Sequence, residues 1–254
     1  MIKKIKYALF PFLEFRENNL TKKRKVYISF NVLGFLYFTS FLSLYIFSYL
    51  FYPYDIEKNH MKIYSNDNIS KDKNFLHAIT NAQREVKKSV LYNDNYKVKI
   101  YIVDNPIYYI FMVTPLQINS IAANLFDNIH IKNKYIKAHT KRYQYLSKTM
   151  VHEIIHTFQA MKYGGWLRTF LIPYWVKEGY ARFIEENKVV EKKPKEFLIE
   201  NGVEKNYTLF ALMVKHAIEK MHYSVDDLHL GKVSYDKVLN SLLDEYNITK
   251  MPSN

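Results

Sequence analysis

The stretch that most constrains this chain is Met150–Gln159, which reads MVHEIIHTFQ and contains the pattern HExxH. Residues four positions apart on an α-helix lie on one face, about one turn apart along the axis. The imidazoles of His152 and His156 can therefore both reach one metal ion, with Glu153 beside them to handle protons. The stretch predicts a metal-binding helix.

The surroundings of the motif favour a real metal site over an accidental match on an ordinary helix. A helix is predicted over residues 141–163, and Gly164 and Gly165 supply its stop. Both histidines lie off the face that is expected to pack against the rest of the protein. That face is an apolar stripe with i, i+3, i+4, i+7 spacing: Val151, Ile154, Ile155 and Phe158.

A zinc site that performs chemistry needs a third protein ligand and one open position for water. The chain has no cysteine, so that ligand is expected to be His, Asp or Glu. Glu178 is the best candidate, because the 22-residue gap after His156 leaves room for a loop and the first turn of a second, antiparallel helix. Gly179 is expected to let the two helices approach closely. In the alternative reading, Glu178 is one of several surface carboxylates, followed by Glu185 and Glu186.

A second constraint is the run from 26 to 54, which contains no charged residue. About 20 apolar residues span a bilayer, so a transmembrane helix is predicted there. Residues 1–25 hold eight Lys or Arg and two Glu, which is +6 of the net charge of +13. The positive-inside rule makes this basic tail cytoplasmic and residues 55–254 an extracytoplasmic domain of a single-pass membrane protein. The remaining charge forms no basic run interleaved with aromatics, so no nucleic-acid partner is predicted.

Hydrophobic periodicity beyond residue 55 predicts an α+β domain, a small sheet followed by helices. Alternating, β-branched stretches predict strands at 61–64, 97–104, 107–114 and 128–132. Amphipathic stretches predict helices at 70–92 and 141–163, a helix opened by Pro173, and helices at 207–221 and 235–246.

The residues HEIIH followed by WVKEGYARF resemble the gluzincin zinc metallopeptidases of the thermolysin-like clan, most closely the aminopeptidase type. The resemblance covers residues 150–185 and, more loosely, 95–220. It implies a zincin-like fold with one Zn²⁺ and three ligands: His152, His156 and Glu178. It also implies that a zinc-activated water hydrolyses a peptide bond with Glu153 as the general base.

The resemblance further implies a donor that stabilises the oxyanion, and Tyr207, in NYTLFALMV, is the first candidate. Its competitors are other Tyr and His residues nearby: His216, His222, Tyr223 and His229. The glycine-containing motif with which aminopeptidases capture a free amine has no counterpart in 97–131, so an endopeptidase is favoured. A peptide substrate is expected to add as an extra strand along 127–132.

Two other interpretations remain open at this point. In the first, a membrane-anchored protein keeps the zincin fold without activity and uses it to bind a partner. In the second, the HExxH pattern is accidental in an envelope interaction protein, which a zinc content of one ion per chain would exclude.

Overall fold

In the computed structural model the chain divides into two units, residues 1–48 and 49–254. The basic tail predicted at 1–25 lies outside the residues that the structure describes. The described residues are 31–40, 43, 52–58, 60–66, 72–104, 109, 122–125, 128–133, 141–186 and 207–248.

The helix predicted to span a membrane at 26–54 is not supported. In the described part of the chain, no helix is both long and apolar enough to cross a bilayer. The prediction is therefore wrong, and with it the single-pass localisation that placed 55–254 outside the cytoplasm. Tyr54, the last residue of the predicted span, already belongs to a strand.

The second unit contains a mixed sheet whose described strands have the order β1-β2-β3-β5-β4. The outer pairs, β1–β2 and β4–β5, are antiparallel, whereas β2–β3 and β3–β5 are parallel. The strands are β1 (Tyr54–Lys58), β2 (Met61–Ser65), β3 (Val98–Val103), β4 (Ala122–Leu125) and β5 (Asn128–Lys132).

Three of the predicted strands are confirmed, as β2, β3 and β5. The strand predicted at 107–114 lies outside the described residues except for Tyr109, and β1 and β4 were not predicted. Because β5 lies between β3 and β4, both of its edges are paired. The prediction that a substrate adds as a strand along 127–132 is therefore wrong, and within the described strands β4 is the one beside β5 with a free edge.

The helices confirm the α+β class. Gly164 and Gly165 adopt φ angles of 101° and 95° directly after the helix that carries HEIIH, which ends this helix where the sequence predicts. The described helices of this unit are α1 (Lys73–Val86), α2 (Lys141–Tyr163), α3 (Tyr174–Glu185), α4 (Tyr207–Glu219), α5 (Val225–His229) and α6 (Tyr235–Glu245), with a 3₁₀ helix at Trp166–Leu171.

The main core lies between the sheet and the helices. Ile63, Ile100 and Ile129 are fully buried on one face of three neighbouring strands and belong to the same cluster as α1 and α2. The predicted apolar stripe of α2 is buried in this core, as expected, so its two histidines lie on another side of the helix. The stripe is Val151, Ile154, Ile155 and Phe158.

The opposite face of the sheet carries a second buried cluster. Tyr64, Tyr101 and His130 are aligned across β2, β3 and β5, and their rings stack at centroid distances of 4.8 Å and 5.2 Å. His130 is fully buried, and within the described residues neither of its ring nitrogens has a hydrogen-bond partner. Burial lowers the pKa of His130 from 6.5 to about 3, so the ring is neutral when folded.

This buried histidine is expected to make folding sensitive to acid. The unfolded chain takes up the proton first, so stability is full above pH 6.5 and falls as the pH drops towards 3. At ~1.4 kcal/mol per pH unit, about 2–3 kcal/mol is lost by pH 4.5, and His130→Phe should remove that loss. Urea unfolding across this pH range, with chelator present, measures it.

The matched control is Ile131→Val, on the same strand but facing the main core. It should cost about 1 kcal/mol at every pH, because it removes a methylene and no titrating group. Equal pH slopes for wild type and His130→Phe would contradict the assignment.

Candidate metal centre

Two neighbouring helices bring the candidate metal ligands together. His152 and His156 lie one turn apart on α2, and Glu178 lies in the second turn of α3. Pro173 precedes α3 with a φ of −52°, a value suited to a helix start, so the chain turns back directly after the 3₁₀ helix. The Glu178 residue is 8% exposed, and both histidines are partly buried.

Gly179 lies against α4 and not against α2. A Cβ atom at this position would come within 2.6 Å of the carbonyl oxygen of Phe210. The expectation that Gly179 permits a close approach of α2 and α3 is therefore wrong, since the glycine permits the approach of α3 and α4. Helix α4 thus supports the ligand-bearing helix from behind.

The donor atoms of the three candidate ligands converge. Nε2 of His152 lies 3.1 Å from Nε2 of His156, and Oε2 of Glu178 lies 3.4 Å and 3.3 Å from those two atoms. Ligand atoms about 2.0–2.1 Å from a tetrahedral zinc ion are about 3.3 Å from one another. Both the donor types and their spacing therefore fit zinc. Among the described residues, no other group of three His, Asp or Glu meets the same spacing.

The side chains of the candidate ligands also affect one another's pKa values. Burial opposes a charge on His152, but its hydrogen bonds to Glu178 and Glu185 outweigh burial and raise its pKa to about 10. Burial likewise opposes a charge on Glu178, but the two imidazoles outweigh it and hold the pKa of this carboxyl far below its ordinary range. A metal ion bound here would have to displace protons from these ligands, so its binding would weaken as the pH falls.

A buried carboxylate supports His152 from behind. Nδ1 of His152 lies 3.2 Å from Oε2 of Glu185, and Oε1 of Glu185 accepts a hydrogen bond from Arg182 at 2.9 Å. Such a partner fixes the ring and raises the basicity of the other nitrogen. The side chains of Glu185 and Glu186 are 8% and 6% exposed, so neither is a surface carboxylate. The seven-residue spacing from Glu178, two helical turns, is the signal that points to Glu185.

A buried amide supports His156 in the same way. Nδ1 of His156 lies 2.8 Å from Oε1 of Gln159, which is fully buried one turn further along α2. Nε2 of Gln159 lies 3.1 Å from the carbonyl oxygen of Lys177 and 3.0 Å from Nε2 of His229. Sequence reasoning missed Gln159, although its three-residue spacing from His156 places it on the same helix face.

Glu153 is the candidate general base. Burial raises its pKa, and the charges of both neighbouring histidines only partly offset this effect. The backbone carbonyl of Glu153 accepts a hydrogen bond from Nδ2 of Asn124 at 3.1 Å, and the same amide donates to Thr157 at 2.7 Å. Because Asn124 belongs to β4, these hydrogen bonds hold β4 against the turn of α2 that carries Glu153.

Tyr207 begins α4 and is 49% exposed. Its hydroxyl oxygen lies 3.0 Å from that of Tyr174, and the Tyr174 ring lies 5.5 Å from the ammonium of Lys177. That ammonium is 3.2 Å from Oε1 of Glu178. Tyr207 is thus linked to the ligand carboxylate through two side chains, and its role in catalysis remains a prediction.

The other candidates for the oxyanion donor lie at different places in the structure. His216 pairs with Glu245 at 2.8 Å, and Tyr223 accepts a hydrogen bond from Lys237 at 2.6 Å. His222 lies in the loop after α4 with a φ of 58°. His229 is the competitor that connects to the metal centre, through Gln159 and behind His156.

Comparison of the chain with protein-family models, with curated proteins and with solved structures found no match. The resemblance to gluzincins therefore rests on the motif residues themselves, and the class of protein is inferred from the site.

Proposed function

We propose that this chain is a zinc-dependent peptidase. The observation that carries the proposal is the convergence of Nε2 of His152, Nε2 of His156 and Oε2 of Glu178 at mutual distances of 3.1–3.4 Å. A carboxylate-supported imidazole beside this group agrees with the usual construction of zinc sites. The resemblance of HEIIH and WVKEGYARF to gluzincins supplies the reaction class.

Glu153 performs the proton transfers in this proposal. His152, His156 and Glu178 would hold the zinc ion, which would act as a Lewis acid that polarises a carbonyl group and lowers the pKa of water towards about 7. Glu153 accepts one proton from the attacking water and delivers it to the nitrogen of the leaving amine. One water is consumed and the C–N bond breaks. A carboxylate and a protonated amine form, because the second proton of the water also passes to the amine. Tyr207 is the proposed donor to the carbonyl oxygen as negative charge develops there.

The substrate is a peptide in extended form that pairs with β4. Among the described strands, none pairs with the outer edge of β4. Such an edge offers backbone N–H and C=O groups, which bind extended chains with little sequence selectivity. The hydrogen bonds of Asn124 hold this strand beside Glu153, so a paired substrate would run past the proposed base. Such binding suits cleavage within a peptide, in agreement with the preference for an endopeptidase.

A mixed peptide library tests the proposal. The full chain, loaded with zinc, should cleave bonds inside the peptides, and mass spectrometry of the products should show internal sites. A chelator should abolish cleavage and added zinc should restore it. Zinc binding without any cleavage would instead favour the inactive, partner-binding interpretation, and cleavage that resists chelation would contradict the metal mechanism.

A further inference from the structure

Gln159 occupies an unusual position because its side chain joins three helices. It lies on α2, its amide nitrogen reaches the carbonyl oxygen of Lys177 on α3 at 3.1 Å, and the same nitrogen reaches Nε2 of His229 on α5 at 3.0 Å. Its amide oxygen is 2.8 Å from Nδ1 of His156. The side chain is fully buried, so these protein groups are what satisfy it.

The directions of these hydrogen bonds follow from the groups themselves. A carbonyl oxygen accepts only, so the Gln159 nitrogen that faces Lys177 must donate, and the amide oxygen must be the atom facing His156. Nδ1 of His156 therefore carries a proton and donates it to Gln159. In the neutral ring that a metal ion requires, Nε2 of His156 then has the lone pair, and this atom lies beside the donor atoms of the other two candidate ligands.

His229 completes the arrangement with one defined tautomer. Its Nδ1 donates to the carbonyl oxygen of Val225 at 2.8 Å, which leaves Nε2 to accept the second N–H of Gln159. The ring is 2% exposed, stacks on Tyr163 at 4.8 Å and meets the edge of Tyr180 at 5.2 Å. Each N–H in the row from Val225 to His156 thus meets an acceptor, and the Gln159 nitrogen uses both of its N–H groups.

We infer that Gln159, backed by His229, is a positioning residue that fixes the tautomer and ring orientation of His156 and links it to the turn of α3 that bears Glu178. The link exists because Lys177, whose carbonyl accepts from Gln159, immediately precedes Glu178 in the chain. The inference rests on the proposed zinc site. It assigns the short helix α5 a purpose, which is to hold His229 against the metal-binding helix.

Cobalt(II) titration of the full chain tests this inference, with the visible absorption spectrum of the bound ion as the readout, and chelator competition gives the zinc affinity. Gln159→Met keeps the side-chain length but removes all three hydrogen bonds, and should weaken zinc binding about 10–100-fold and alter the cobalt spectrum. His229→Phe keeps the stacking on Tyr163 and should weaken zinc binding about tenfold. Ser241→Ala, which removes one of the two partners of the buried His216 away from the site, should leave both unchanged.

The possible results distinguish the positioning role of Gln159 from the existence of the zinc site. Wild-type affinity and spectrum in Gln159→Met would overturn this inference and leave the zinc site standing. A wild-type chain that binds neither cobalt nor zinc would overturn both. Urea unfolding of the metal-free variants shows whether each one folds, and if Gln159→Met does not unfold cooperatively, the result for His229→Phe decides.

Discussion

Replacing Glu153 by glutamine is expected to lower the kcat of peptide hydrolysis by about 10²–10⁴-fold while zinc stays bound. The amide has nearly the shape of the carboxylate but cannot accept a proton from the attacking water. Glu153 is not among the three converging ligands, so the ion should remain. The measurement compares initial rates on one peptide from the library with the zinc content of the same samples.

Glu85→Gln is the matched control for this change. Glu85 is a carboxylate on α1 that pairs with Lys88 and Arg84 outside the metal centre. Its replacement should leave kcat unaltered. Wild-type hydrolysis by Glu153→Gln would remove Glu153 from the mechanism, and loss of zinc in that variant would make its role structural.

The second large effect is expected from Glu178→Ala. Removing a partner behind a ligand costs about 10–100-fold in metal affinity, and removing a ligand itself should cost more than about 100-fold. The change also leaves the imidazoles of His152 and His156 without the carboxylate that both contact. Chelator competition measures the zinc affinity, and hydrolysis at fixed low zinc should disappear.

Glu185→Ala provides a graded comparison on the same helix. Its carboxylate contacts Nδ1 of His152, away from the converging donor atoms, so its loss should fall within the 10–100-fold range. An equal loss in both variants, or a wild-type affinity in Glu178→Ala, would show that Glu178 is not the third ligand.

The sequence was sufficient for the parts of the site that depend on local spacing. A four-residue interval sets His152 and His156 on one face of α2, and the same periodicity predicted which stripe of that helix is buried. Glu178 followed from the absence of cysteine and the length of the intervening loop. Glu185 was within reach of the same reasoning, because a seven-residue interval on a helix is as regular as a four-residue one.

The position of His229 could not be predicted from local spacing. It is 70 residues from Gln159 in the chain, and no local pattern indicates that two helices packed later in the sequence will bring it behind His156. The same limit applies to Gly179, because a glycine in the sequence indicates a close approach but does not identify the element that approaches. The partner proved to be Phe210 on α4.

The predictions for the substrate-binding strand and for the N-terminal segment were wrong for different physical reasons. The residues of a strand show alternation but do not identify the neighbouring strands. The sequence of β5 therefore did not indicate that both of its edges would be paired. The outer strand beside β5 in the described sheet, β4, has only four residues, AANL, and too little alternation to be recognised. In the segment 26–54, apolar composition predicted a span, but hydropathy describes transfer out of water and does not by itself establish a helix that crosses a bilayer.

The most direct test of the account is the zinc content of the full chain after equilibrium dialysis, determined by elemental mass spectrometry for wild type and His156→Ala side by side. We expect one zinc ion per wild-type chain and almost none in the variant. A wild-type chain without zinc, or a variant that retains the ion, would contradict it.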